Sequence, residues 1–184
     1  AVIFNAEGDV INKFKQAEEF VQAVQSLGID TSRLYLCEDP RLDTKIDVIP
    51  YTVLAKVCRG GWLPMTYGEI MPGDRKNAAE RVVGGAYAQY ERHKARLGYT
   101  IPPMPVISSY WDTGGKARMT QTELKRWCDE VQKRNASLVT LYRAGVVTSE
   151  AWTAFQKLQV SASEVIQVNV DSQEATAALV QPGG

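Results

Sequence analysis

Four carboxylates in this 184-residue chain stand at or just beyond the ends of apolar runs: Glu7 after AVIFNA, Glu38 after RLYLC, Glu69 after WLPMTYG and Asp112 after MPVISSYW. Arg143 follows a fifth run, LVTLY. Carboxyl groups gathered in this way do general acid and base work. Cleavage of a glycosidic bond needs one carboxylic acid near the leaving oxygen and a second carboxylate as nucleophile or base, about 5 Å away for retention and roughly 6.5 to 9.5 Å away for inversion. Neighbouring strands about 4.8 Å apart can set either separation. Glu7 paired with Glu38, Glu69 or Asp112 is therefore the expected catalytic set. Asn5, Tyr67, Tyr110, Trp111, Tyr142 and Arg143 are the expected substrate-binding groups, with the rings stacked on sugar faces and Arg143 fixing a carboxylate or holding an acid ionised. Tyr110 and Trp111 are adjacent, so in a strand only one of them faces the site.

These groups need elements to hold them. Ala1 to Phe4 reads as a strand buried on both faces, and Leu34 to Cys37, Trp62 to Tyr67, Met104 to Trp111 and Leu138 to Tyr142 read as four more, with a bulge or strand end at Pro64. Between them run helical stripes. Ile11, Phe14, Ala17, Val21, Val24 and Leu27 form the first, stopped by Gly28. The segment PRLDTKID reads as a polar loop leading to a helix opened by Pro50. Asp74 suits the N-cap of a long helix in which Gly84 and Gly85 are costly unless close packing against a strand needs the missing side chains. Thr120 to Glu123 fits a capping box, and a last short helix carries Trp152 and Phe155 behind Thr148 or Ser149.

Strand and helix patterns thus alternate five times at intervals of about 30 residues, the signature of parallel βαβ units. Residues 1–159 are expected to form this α/β repeat domain and residues 160–184 an arm or linker. Two architectures fit: the C-terminal five-eighths of a (β/α)8 TIM barrel, or a complete flavodoxin-like doubly wound sheet. A charged group at every strand end favours the barrel, because an open sheet forms a crevice only at its switch point.

Composition narrows the partners. Lysine plus arginine equals aspartate plus glutamate at 21 each, so no overall field draws the chain to nucleic acid or an anionic membrane. No apolar run approaches the roughly 20 residues of a membrane span. No strand leads into a glycine-rich phosphate loop, and the single histidine, His93, excludes a multi-histidine metal site, so neither cofactor nor metal is expected. Cys37, Cys58 and Cys128 read as buried free thiols. The chain opens on a core strand without an initiating methionine. We read it as a piece of a longer protein, its barrel completed by an upstream segment or a second chain.

The stretch PMPVISSYWDTGGKARMTQTELKRWCDEVQKRNASLVTLYRAGVVTSEAWTAF resembles the last two βα units of glycoside-hydrolase barrels. AVIFNAE resembles the mid-barrel strand of the lysozyme-type family 25 hydrolases, where an Asp-x-Glu motif supplies the catalytic pair. The likeness runs over Ala1 to Leu158. It implies that Glu7 is the proton donor, with Asn5 standing where the family has its aspartate. It also implies a polysaccharide partner, bacterial cell-wall peptidoglycan first, and an extracellular or virion-associated location. Such barrels also serve in phage tails and other surface assemblies. An inactive structural or adhesion domain, homo-oligomeric or assembled into a virion, is the alternative expectation, and a self-contained flavodoxin-like binding domain a third.

Overall fold

The computed structural model describes residues 2–5, 8–68, 70–111, 117–142, 147–158, 165–167 and 178–180. The chain divides into two compact units, Ala1–Met65 with Ala86–Pro103, and Thr66–Gly85 with Met104–Gly184. The class is mixed α/β with parallel strands, and among the described residues no closed barrel is present.

In the first unit, β1 (Val2–Asn5), β2 (Leu34–Glu38) and β3 (Gly61–Pro64) form a parallel sheet in that order. The register sets Phe4 opposite Leu36 and Leu36 opposite Trp62. All three belong to the hydrophobic core or pack against it, together with Val21 and Val24 of helix α1 (Phe14–Ser26). Alternation then places Ile3, Tyr35, Cys37 and Leu63 on the opposite face. Gly28, at φ 63°, ends the α1 connection in the left-handed conformation that favours glycine. Pro64 is the last residue of β3, where its missing N–H costs least; Met65 supplies the next donor, to the Glu38 carbonyl at 2.9 Å.

Two expectations for this unit are corrected. β1 is not buried on both faces: Val2 is 59% exposed and Asn5 is exposed, because β1 is the edge strand of the described sheet. The segment read as a polar loop contains α2 (Leu42–Lys45), whose Leu42 and following Ile46 are buried one turn apart among charged neighbours. Pro50 caps the short α3 (Tyr51–Leu54).

The predicted long helix is three pieces. Asp74 caps a 3-10 turn, Arg75–Asn77, by accepting the Asn77 N–H. A π-helical turn, Glu80–Gly84, follows, and then α4 (Gly85–Leu97). A Cβ on Gly84 would lie 2.9 Å from Arg134 Nη2, and one on Gly85 would lie 2.9 Å from Met71 Sδ. Both glycines therefore serve close packing, against side chains rather than a strand.

In the second unit, β4 (Val106–Ser108) and β5 (Thr140–Tyr142) are parallel, with Ser108 opposite Tyr142. The backbone N–H and the hydroxyl of Thr66 both donate to the Val106 carbonyl, at 2.9 and 3.0 Å. α5 (Gln121–Lys133) carries the expected capping box, Thr120 with Glu123, and packs on α6 (Ser149–Gln156), which Thr148 caps. Within residues 160–184, β6 (Val165–Gln167) pairs antiparallel with β7 (Ala178–Val180). All three cysteines are free and buried, and burial pushes the Cys58 and Cys128 thiols up to about 12.

Candidate functional site

At the C-terminal end of the first sheet, Asn5 closes β1 opposite Cys37, while Glu38 closes β2. Strand alternation puts Glu38 on the face of Leu36 and Trp62, toward the core, and it is 1% exposed. Its Oε1 accepts the backbone N–H of Asp39 at 2.8 Å. Asp39 is gripped by Arg41: Nε donates to both carboxylate oxygens at 2.9 and 3.1 Å, Nη2 donates to Oδ2 at 2.5 Å, and the Arg41 backbone N–H donates to Oδ1. This hydrogen bonding raises the guanidinium pKa. The Tyr51 hydroxyl donates to the Asp39 carbonyl at 2.6 Å. Burial, and then the negative charges of Glu38 and Asp39, push that hydroxyl far above its ordinary value, so it stays a neutral donor. Asp39 is therefore charge-compensated and locked by Arg41, while Glu38 is turned inward.

In the second unit three expected rings come together where strands end. Tyr142, the last residue of β5, stacks on Tyr67 with ring centres 5.0 Å apart and planes 8° apart. Tyr110, two residues past β4, meets Tyr142 at 6.1 Å and 37°. Its backbone N–H donates to Ser108 Oγ, which in turn donates to the Tyr110 carbonyl. Tyr67 and Tyr142 are half-buried and Tyr110 is buried, so part of this aromatic surface reaches solvent. Trp111 faces elsewhere, as adjacency requires. Its Nε1 donates to Glu123 Oε1 at 3.2 Å and the Arg75 guanidinium lies over its ring at 4.9 Å. Burial opposes ionisation of Glu123, but hydrogen bonds from Thr120 and Trp111 and the Arg75 charge outweigh it and hold the carboxyl below its usual range.

Glu7, Glu69, Asp112 and Arg143 lie outside the described residues. Among the described residues no cluster of histidine, cysteine, aspartate or glutamate could hold a metal ion, and no helix is long and apolar enough to cross a membrane. Arg41 and Tyr51 are the residues that sequence spacing does not single out. The signal for Arg41 is its place two residues after Asp39, the right distance for a side chain to fold back on a carboxylate. Tyr51 carries no such signal. A groove of about 460 Å3 between α5 and α6, lined in part by Gln121, Lys125, Asp129 and Lys157, contains none of the expected residues.

No protein family, curated protein or solved structure matches the chain.

Proposed function

We propose that this chain is the C-terminal part of a glycoside-hydrolase-type (β/α)8 barrel that binds a polysaccharide, bacterial cell-wall peptidoglycan first, and cleaves it with Glu7 as the proton donor. The observation that carries the reading is the Tyr67–Tyr142–Tyr110 group at the ends of parallel strands, a partly exposed aromatic surface of the kind on which sugar rings stack. The place of β1 at the edge of the described sheet, with Val2 59% exposed, supports the remainder: an upstream segment or a second chain supplying further βα units would pair there.

A second reading has its own support. The acids of the first sheet are compensated or turned inward, Asp39 by Arg41 and Glu38 by burial, and Asn5 occupies a position where the resembling hydrolases carry an acid. An inactive adhesion or structural domain of a phage tail or other surface assembly would retain the aromatic surface alone.

Purified peptidoglycan sacculi separate the two. The expected outcome is sedimentation of the wild-type chain with sacculi, with binding about tenfold weaker in Tyr142→Ala, equivalent to ~1.4 kcal/mol. Release of reducing ends that Glu7→Gln abolishes without loss of binding establishes the hydrolase. Binding without release in the wild type, unchanged in Glu7→Gln, leaves the adhesion domain. A wild-type chain that does not bind sacculi removes the peptidoglycan reading altogether.

A further inference from the structure

The turn behind Tyr67 is held by one half-buried arginine. Arg81, in the π-helical turn, donates from Nε to the Met71 carbonyl at 3.2 Å and from Nη1 to the Asp74 carbonyl at 2.8 Å. Its guanidinium thus spans the two ends of the segment Met71–Asp74. Between them Gly73 adopts φ +142°, and a Cβ there would stand 2.6 Å from Arg81 Cζ. The glycine lets the planar group lie against the backbone, and no L side chain adopts that conformation without strain. The same turn is fixed from two other sides. Met71 Sδ fills the space that Gly85 leaves, and the Asp74 carboxylate caps the following 3-10 turn.

This arrangement is costly. Arg81 Nη2 is buried without a hydrogen-bond partner, and an unmatched buried donor forfeits its bond to water. An apolar side chain of similar length would avoid that cost but would leave the two carbonyls unheld. What the guanidinium supplies is geometry, since its fixed fork meets two acceptors at once. The π-helical turn that presents it is itself an uncommon conformation, one often found where a side chain must be aimed.

We infer that Arg81 is the positioning residue for the Tyr67 ring: it fixes the Met71–Asp74 turn to which the Tyr67 backbone is bonded and so holds Tyr67 against Tyr142. The Ile70 N–H, bonded to the Tyr67 carbonyl at 3.4 Å, links the ring's backbone to the clamped turn. The significance of this for ligand binding rests on the proposed glycan-binding role of the tyrosines. The positioning itself does not, and it is measured separately.

The probe is the protein with 13C-labelled tyrosine rings, in which Tyr67→Phe identifies the Tyr67 resonance by its loss. Stacking at 5.0 Å gives that ring a ring-current shift that depends on Tyr142 staying beneath it. In Arg81→Met and in Gly73→Ala the Tyr67 signal is expected to move toward the position of an unstacked ring. The signals of Tyr51 and Tyr90, in the other unit, are expected to stay in place. Combining the two substitutions is expected to move it no further, because both release the same turn. Arg81→Lys is the gentler variant and decides the matter if the methionine variant does not fold. One ammonium cannot reproduce the two-armed contact, so the ring is expected to move there as well. A Tyr67 resonance at its wild-type position in a folded Arg81 variant overturns the inference. Sacculus binding measured on the same samples tests the other reading alone: a displaced ring with wild-type binding removes Tyr67 from the glycan surface and leaves the clamp standing.

Discussion

Glu130 is a carboxylate with little access to water, 4% exposed on α5, and its whole charge is met by protein donors. Oε2 accepts from Lys133 Nζ at 2.9 Å, and Oε1 accepts from Arg134 Nε and Nη2 at 3.1 and 2.9 Å. Burial alone would raise its pKa, but the bonds and charges of Lys133 and Arg134 prevail and hold it below the ordinary carboxylate range. A folded-state pKa below the unfolded one means that the group stabilises the protein above the unfolded value, and that this contribution is lost as pH falls through the folded value. Both cations reach solvent and can be rehydrated, so the pair is worth less than a fully buried one. Glu130→Gln is therefore expected to lower stability by about 1–2 kcal/mol near neutrality and by less at about pH 3, below the ordinary carboxylate value. Urea melts of both proteins at the two pH values check this, and a difference that does not shrink on acidification would show that the charge of Glu130 is not the cause.

At the scale of elements, Gly84 shows two effects of similar size in opposition. Alanine there gains about 1 kcal/mol of helix propensity, yet its Cβ would lie 2.9 Å from Arg134 Nη2 and would push that side chain off Glu130. The expected result is near neutrality for Gly84→Ala in the wild type and stabilisation of about 1 kcal/mol in an Arg134→Ala background, read from the same melts. Equal effects in the two backgrounds would mean that Arg134 does not occupy the glycine's space. The residues involved also show why this turn was not legible. A 3.6-residue stripe through Val82, Ala86 and Tyr90 predicts one helix, and only the fit of Arg134 and Met71 against two glycines reveals the π-helical turn. The capping box at Thr120 and the cap at Thr148 were legible because they are local, set by groups three residues apart. α2 was not, since two apolar residues among five charged or polar ones make no period. That Tyr67, Tyr110 and Tyr142 stand near strand ends was legible, because strand ends are visible as the close of apolar runs; that their rings meet was not. Glu38 was assigned to the site for the same reason, but the strand's alternation turns it to the core. The hydrogen bond from Tyr51 to Asp39 spans twelve residues and follows from packing, which no short-range pattern records.

At the scale of the molecule, the edge of the first sheet governs how the chain behaves in solution, because among the described residues no strand pairs with its outer side. The described sheet ends at β1, and residues 2–5 contain no charge, proline or bulge. On β1 itself Phe4 is half-buried, stacked on Phe20 of α1 at 4.7 Å, and Val2 is 59% exposed. A sheet edge with no described strand on its outer side is a template for another strand. The isolated chain is therefore expected to associate through β1 as its concentration rises. Val2→Lys puts a solvated cation on that edge and, at an exposed position, should change folding stability by no more than about 0.5 kcal/mol. Sedimentation velocity over a concentration series is the measurement: the wild type shifts to larger species and the variant stays as one. If both associate alike, the contact lies elsewhere on the surface, and the case for a strand-completing partner at β1 fails with it.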